Sequence, residues 1–364
     1  MGVWQSLRLN KLRDLTMENY KKKGGTLWSI GKISFFLFTC IFSIQSAGAQ
    51  QDQQWITYEP DNGTGNGKHI VLVSGDEEYR SEEALPLLAN ILARYHGFKT
   101  TVLFAINPET GKIDPEYLEN IPGLEHLQQA DLMVIFTRFR ELPDEQMKFI
   151  DEYLAAGKPI IGMRTATHAF NYKLNKDSPY SKYSFNSGVA EWEGGFGRKI
   201  LGETWIAHHG DHGKEGTRGL INGTMKGANH PMLQGVSDIW TYSDVYTTRE
   251  LKEGTEVLVW GAPTNGMTPN ATLNLKKSIL PVAWTTEYTG KNGTVGRVFT
   301  TTMGASIDLK NEDLRRLLVN ACYWALKMEA LIPVESNVSI IGEYNPTMFG
   351  YGAFRKNLVP SDFQ

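Results

Sequence analysis

The chain has 364 residues, 41% of them hydrophobic, with 37 Lys plus Arg against 40 Asp plus Glu. That balance is ordinary for a soluble domain and excludes a collagen, a coiled coil and a disulfide scaffold. The net charge of −3 is unevenly spread: residues 1–49 hold seven basic and two acidic side chains, a charge of +5, and the remainder holds 30 basic and 38 acidic, a charge of −8. An acidic body has no global field to attract nucleic acid, and no basic patch interrupts it.

In chain order, the first feature is the apolar run ISFFLFTCIFSI (33–44), with Lys21, Lys22, Lys23 and Lys32 before it and Ala47-Gly48-Ala49 after it. A positive segment, a short apolar one and a small-x-small site form a secretory signal peptide, too short to span a bilayer. Cleavage is expected after Ala49, with Met17 as an alternative start, so the protein is expected to be exported to the periplasm or medium and not to stay inserted in the membrane. A lipid anchor at Cys40 fits less well, because Phe38 is bulky and apolar residues continue beyond the cysteine. Cleavage leaves only Cys322, in the helical pattern LLVNACYWAL, so no internal disulfide is possible.

Residues 50–67 read as a linker, 68–335 as one α/β domain and 336–364 as a tail packed on it. HIVLVSG (69–75) is a strand, SEEALPLLANILARYHG (81–97) a helix capped by Ser81 with Glu82 and Glu83 complementing its dipole, and KTTVLFAIN (99–107) a second strand. ADLMVIFTRF (130–139) is a third strand, PDEQMKFIDEYLAAG (143–157) a helix, and KPIIGMRT (158–165) a fourth strand. This rhythm requires parallel pairing with right-handed crossovers, hence a doubly wound, mostly parallel sheet. Residues 170–230 form a loop-rich excursion. TEVLVWG (255–261), LPVAWTTEY (280–288) and GRVFTTTMG (296–304) are strands, and NEDLRRLLVNACYWAL (311–326) is a helix with Asn311 as its cap.

Ligands of doubly wound sheets sit at the carboxyl ends of the strands. That rule selects Asp76, Glu77, Glu78 and Tyr79 after the first strand, Arg138 and Arg140 after the third, and Arg164 with His168 after the fourth. The fourth turn is where such folds hold nucleophiles in a G-x-[SC]-x-G elbow. Here Arg164 fills that position and disfavours covalent acyl chemistry. The densest cluster is Trp205-Ile-Ala-His208-His209-Gly210-Asp211-His212. Imidazoles with a carboxylate suit a divalent metal such as zinc, and His208, His209, Asp211 and His212 are the candidate ligands. The spacing matches no defined metal motif, and acid/base use or sugar hydrogen bonding explains the histidines equally well. No phosphate-cradling loop follows the first strand, so neither nucleotide nor flavin is expected.

Assembled in order, GDEEYRSEEALPLLA, RFRELPDEQ, GMRTATHAF, ILGETWIAHHGDH, HPMLQGVSDIWTYSDVY, VAWTTEYTGKNGTVGRVFTTTMGAS, DLRRLLVNACYWAL and YNPTMFGYG resemble the ThuA-like (trehalose utilisation) family over residues 68–352. The resemblance implies a flavodoxin-like fold similar to class I glutamine amidotransferases, without their activity because Arg164 replaces the elbow cysteine. It also implies a role in carbohydrate catabolism, with 3-keto-sugars made by partner sugar dehydrogenases. On that basis His208, His209 and His212 are expected to act as base or metal ligands, and Arg138 and Arg164 to stabilise an oxyanion. Asp76, Glu78, Tyr79, Arg140 and His168 are expected to orient a small carbohydrate substrate, with Trp205, Tyr246 and Phe349 as candidate stacking rings. A non-catalytic carbohydrate-binding or accessory protein is the alternative.

Overall fold

The computed structural model describes residues 53–61, 63–221, 229–249 and 251–364. The expected leader, residues 1–49, lies outside them. The strands are β1 (Trp55–Tyr58), β2 (His69–Gly75), β3 (Lys99–Leu103), β4 (Ile106–Asn107), β5 (Lys112–Ile113), β6 (Leu132–Thr137), β7 (Ile160–Met163), β8 (Thr217–Ile221), β9 (Ile239–Thr241), β10 (Glu256–Pro263), β11 (Leu280–Thr289) and β12 (Val295–Thr301). The helices are α1 (Ser81–His96), α2 (Asp144–Ala155) and α3 (Glu312–Ala325). No helix among the described residues is long and apolar enough to cross a membrane.

β4 and β5 form a small hairpin, and the other ten strands make one sheet in the order β1-β3-β2-β6-β7-β12-β11-β10-β8-β9. Its centre, β3-β2-β6-β7-β12, is parallel, as the alternation of strands and helices requires. β11, β10, β8 and β9 extend one side antiparallel, and β1 closes the other. The expected linker therefore contains a strand: Trp55 to Tyr58 pair with Leu103 to Thr100.

The central strands are buried on both faces, so their sequences read as apolar runs instead of alternating. Ile70, Leu72, Val134 and Phe136 pack with α1 and α3, while Val71, Val73, Met133 and Ile135 pack with α2 on the opposite face. Gly97 ends α1 at φ 71°, where the Gly97 and Phe98 amides donate to the carbonyls of Ala93 and Leu92. Register aligns Gly75 with Thr137 and Thr301 with Met163, which brings the carboxyl ends of β2, β6, β7 and β12 to one edge.

Candidate functional site

Three non-glycine residues at this edge have left-handed backbone: Arg80 (φ 63°), Phe139 (φ 51°) and Arg164 (φ 45°). Such conformations cost energy and are retained where surrounding contacts determine them, often at functional sites. After β2 the turn is built by Asp76, whose carboxylate accepts from the Glu78 amide at 2.7 Å, the Tyr79 amide and the Thr165 hydroxyl. Asp76 is fully buried and committed to these partners, so it shapes the edge and does not face a ligand. Ser81 does not cap α1 either. Its hydroxyl accepts from the amides of Gly75 and Asp76, and the capping position is Arg80.

The histidine segment runs antiparallel to residues 244–247: the His209 amide donates to Val245 and the Thr247 amide to Ala207. On such extended backbone, neighbouring side chains point to opposite faces. His208 turns inward, where its Nδ1 lies 2.8 Å from Asp244 Oδ2, and His209 turns out to the Ser278 carbonyl at 2.8 Å. The turn after Gly210 returns His212 to the inner side, with Nδ1 3.2 Å from Asp244 Oδ1 and Nε2 3.2 Å from Glu78 Oε1. Asp211 points to solvent and pairs with Lys277. Among the described residues the metal-capable group is thus His208, His212 and Asp244, whose ligand atoms lie within 4.8 Å of one another; His209 and Asp211 are not part of it. Asp244 has no spacing relation to the histidines and was not among the sequence candidates.

Asp244 is buried, which opposes ionisation, but hydrogen bonds from His208 and His212 and the charge of Arg164 outweigh burial and hold its carboxyl well below the usual range. Arg164 is also fully buried. Its Nη2 donates to Asp244 Oδ1 (3.0 Å) and the Tyr79 hydroxyl (2.9 Å), its Nη1 donates to the carbonyls of Asp244 and Thr302, and the rings of Tyr79 and Tyr246 flank its guanidinium. It therefore orients Asp244 and Tyr79 and does not reach an oxyanion directly. Burial pushes the Tyr79 hydroxyl well above its ordinary pKa despite Arg164. The same Tyr79 hydroxyl lies 3.3 Å from His212 Nδ1.

The arginines after β6 separate in role. Both pair with Glu77, but Arg140 is fully buried and donates to the carbonyls of Pro115, Tyr117 and Arg138, so it braces loops and does not contact a substrate. Arg138 stays at the rim and reaches the Tyr351 hydroxyl at 2.7 Å. Tyr351 in turn donates to Glu78 Oε2 at 2.9 Å, which links the tail to the site. Tyr246 is buried beside Arg164, Phe349 lies against Tyr79 and His212, and neither presents an open ring face. His168 is buried among Phe139, Trp205 and Tyr246, and burial with the nearby Arg138 and Arg164 charges keeps it neutral, well below its ordinary pKa. Trp205 is partly buried between His168 and His208.

The family model described as ThuA, trehalose utilisation, matches residues 70–325. The chain belongs to the ThuA family. The fold is α/β with a parallel central sheet, and the family's description, trehalose utilisation, gives it a carbohydrate-related role. A ThuA-like protein from Parabacteroides merdae is 15% identical, with 78% of this chain and 97% of that chain covered and a TM-score of 0.46. Another from Bacteroides uniformis is 13% identical, with 74% and 95% covered and a TM-score of 0.43. No curated protein matches the sequence.

Proposed function

We propose that this ThuA-family chain is an exported carbohydrate-catabolism protein that acts on a sugar or 3-keto-glycoside by acid/base chemistry without a covalent nucleophile. The observation that carries the reading is the His208–Asp244 pair at 2.8 Å, with the His208 side chain 33% exposed. A buried carboxylate that fixes one imidazole nitrogen leaves the other to take a proton, the geometry of an oriented general base. A keto group acidifies the ring hydrogen beside it. His208 Nε2 takes that proton, the C–H electron pair forms the enolate of the ketone, and the enolate then expels the glycosidic oxygen from the next carbon. His212, which lies between Glu78 and Asp244, then gives its Nε2 proton to the leaving oxygen. Arg164 and Tyr79 hold Asp244 and His212 in this arrangement.

Two imidazoles and a carboxylate are also a donor set for a divalent transition metal, and His208, His212 and Asp244 would hold it. A metal there would supply Lewis-acid polarisation of a sugar oxygen. The functional partners of such a protein are sugar dehydrogenases that install the keto group. The test is turnover of 3-keto-glucosides by wild type and His208→Ala, each with chelator and with added zinc. Wild-type turnover lost roughly 100-fold or more in His208→Ala is expected for a general base. Binding without turnover by wild type favours the accessory-protein reading. Export is read separately, from the N-terminus of the mature protein, expected at Gln50.

A further inference from the structure

The structure assigns Glu215 and Lys277 a positioning role: together they clasp the turn that carries His212, the residue that protonates the leaving oxygen in the function proposed above, on which this inference rests. Among the described residues, His212 makes no backbone–backbone hydrogen bond, so its ring starts from a point fixed by the residues on either side. Asp211 and Glu215 close that turn. The Asp211 carbonyl accepts from the amides of Lys214 and Glu215, each at 2.9 Å, and the Asp211 amide donates to Glu215 Oε2 at 2.8 Å.

The clasp is set from outside by the loop between β10 and β11, residues 264–279. Lys277 Nζ lies 2.7 Å from Glu215 Oε2 and 2.8 Å from Asp211 Oδ1, and the Asn274 side-chain amide donates to Glu215 Oε1 at 2.6 Å. Ser278, the next residue, holds the other flank of the turn, its carbonyl 2.8 Å from His209 Nε2. His209 and Asp211, which lie outside the metal-capable group, thus fasten the histidine segment to this loop. The loop is itself anchored: the Asn274 amide donates to the Pro263 carbonyl at 2.7 Å, and the Asn265 side chain donates to Thr272 and Leu273. Glu215 is the buried member, its side chain 9% exposed against 23% for Lys277 and 64% for Asp211. A carboxylate so shielded from water depends on its partners. Without the ammonium, Glu215 and Asp211 present like charges to each other across the turn, which opens and draws His212 away from Glu78 and Asp244. A displacement of about 1 Å at a catalytic group costs on the order of a hundredfold in rate.

The experiment measures turnover of methyl and para-nitrophenyl 3-keto-glucosides by the mature chain as wild type, Lys277→Met and Lys277→Arg. Nitrophenolate leaves as a stable anion and needs no proton, whereas methoxide is a poor leaving group and requires one. Lys277→Met is expected to lower kcat roughly tenfold or more for the methyl glycoside, with KM little changed, and to stay within about twofold of wild type for the nitrophenyl one. Lys277→Arg, which keeps the charge, is expected to recover most of the loss. Equal losses on both substrates overturn the clasp, because general damage to the fold does not distinguish leaving groups, and so does the absence of any loss. NMR of the imidazole nitrogens in the same proteins needs no turnover: Lys277→Met should shift the His212 signals more than those of His208, and unmoved His212 signals overturn the clasp. Wild type that turns over neither glycoside, with His212 still responding to Lys277, refutes the acid/base reading and leaves the clasp standing.

Discussion

Glu82 stands in the first turn of α1 with both carboxylate oxygens buried and unpartnered. Acids in a first helical turn ordinarily stay charged and complement the dipole, and Glu83, which accepts from Thr347, keeps that kind of polar engagement. At Glu82 desolvation dominates and pushes the pKa from 4.5 up to about 8. Between those values the folded state binds a proton that the unfolded chain has released, so stability falls as pH rises from 4.5 to 8. Glu82→Gln removes that titration. Its urea midpoint should match wild type near pH 5 and exceed it near pH 8 by on the order of 3 kcal/mol in unfolding free energy. A difference that does not vary with pH would rule out burial of this carboxyl as the cause.

Among the elements, α3 was readable from its own residues because its signals are local: Asn311 caps it, Glu312 and Asp313 face its dipole, and its apolar positions fall on one stripe. Asn311 Oδ1 accepts from the Leu314 amide at 2.8 Å, while its side-chain amide donates to Asp238 at 3.0 Å. Asn311→Ala should therefore cost about 1 kcal/mol or somewhat more, read as a lower thermal midpoint with unchanged far-ultraviolet helicity below it. The parallel strands were legible for the same reason. β1, β8 and β9 were not, because they are three to five residues long and take their strand state from partners distant in sequence. β8, with Arg218 and Gly219 inside it, has little strand propensity of its own and is held by β9 and β10. The site divides in the same way. His208 and His212 stood out as a cluster, whereas Asp244, which orients them, and Tyr351, which reaches Glu78, arrive through tertiary packing from 32 or more residues away.

At the scale of the molecule, the tail is structural cover for the sheet edge that carries the histidine site and part of the core. Phe349 and Phe354 are buried, Phe363 stacks on Phe104 at 5.8 Å, the Tyr58 hydroxyl donates to the Phe363 carbonyl, and Tyr344 donates to Ser306 at 2.7 Å. The tail thereby joins the loop after β12, the start of α1 and strand β1 at the sheet's edge. Each buried aromatic is worth about 1.5–3 kcal/mol of transfer free energy, so deleting residues 343–364 should lower unfolding free energy by on the order of 5 kcal/mol. The same deletion removes two acceptors of Arg80, the Thr347 hydroxyl and the Gly350 carbonyl, and leaves the carbonyls of Glu77 and Glu78; it also exposes Tyr79, which Phe349 covers. A buried guanidinium that loses two of its acceptors adds to the cost. The deletion should therefore show a large fall in urea midpoint and faster hydrogen exchange at the first turn of α1, whereas Tyr351→Ala, at an exposed ring, should leave the midpoint nearly unchanged. If the deleted protein kept the wild-type midpoint, the tail would be an appendage, and its aromatic contacts would contribute nothing to holding the site.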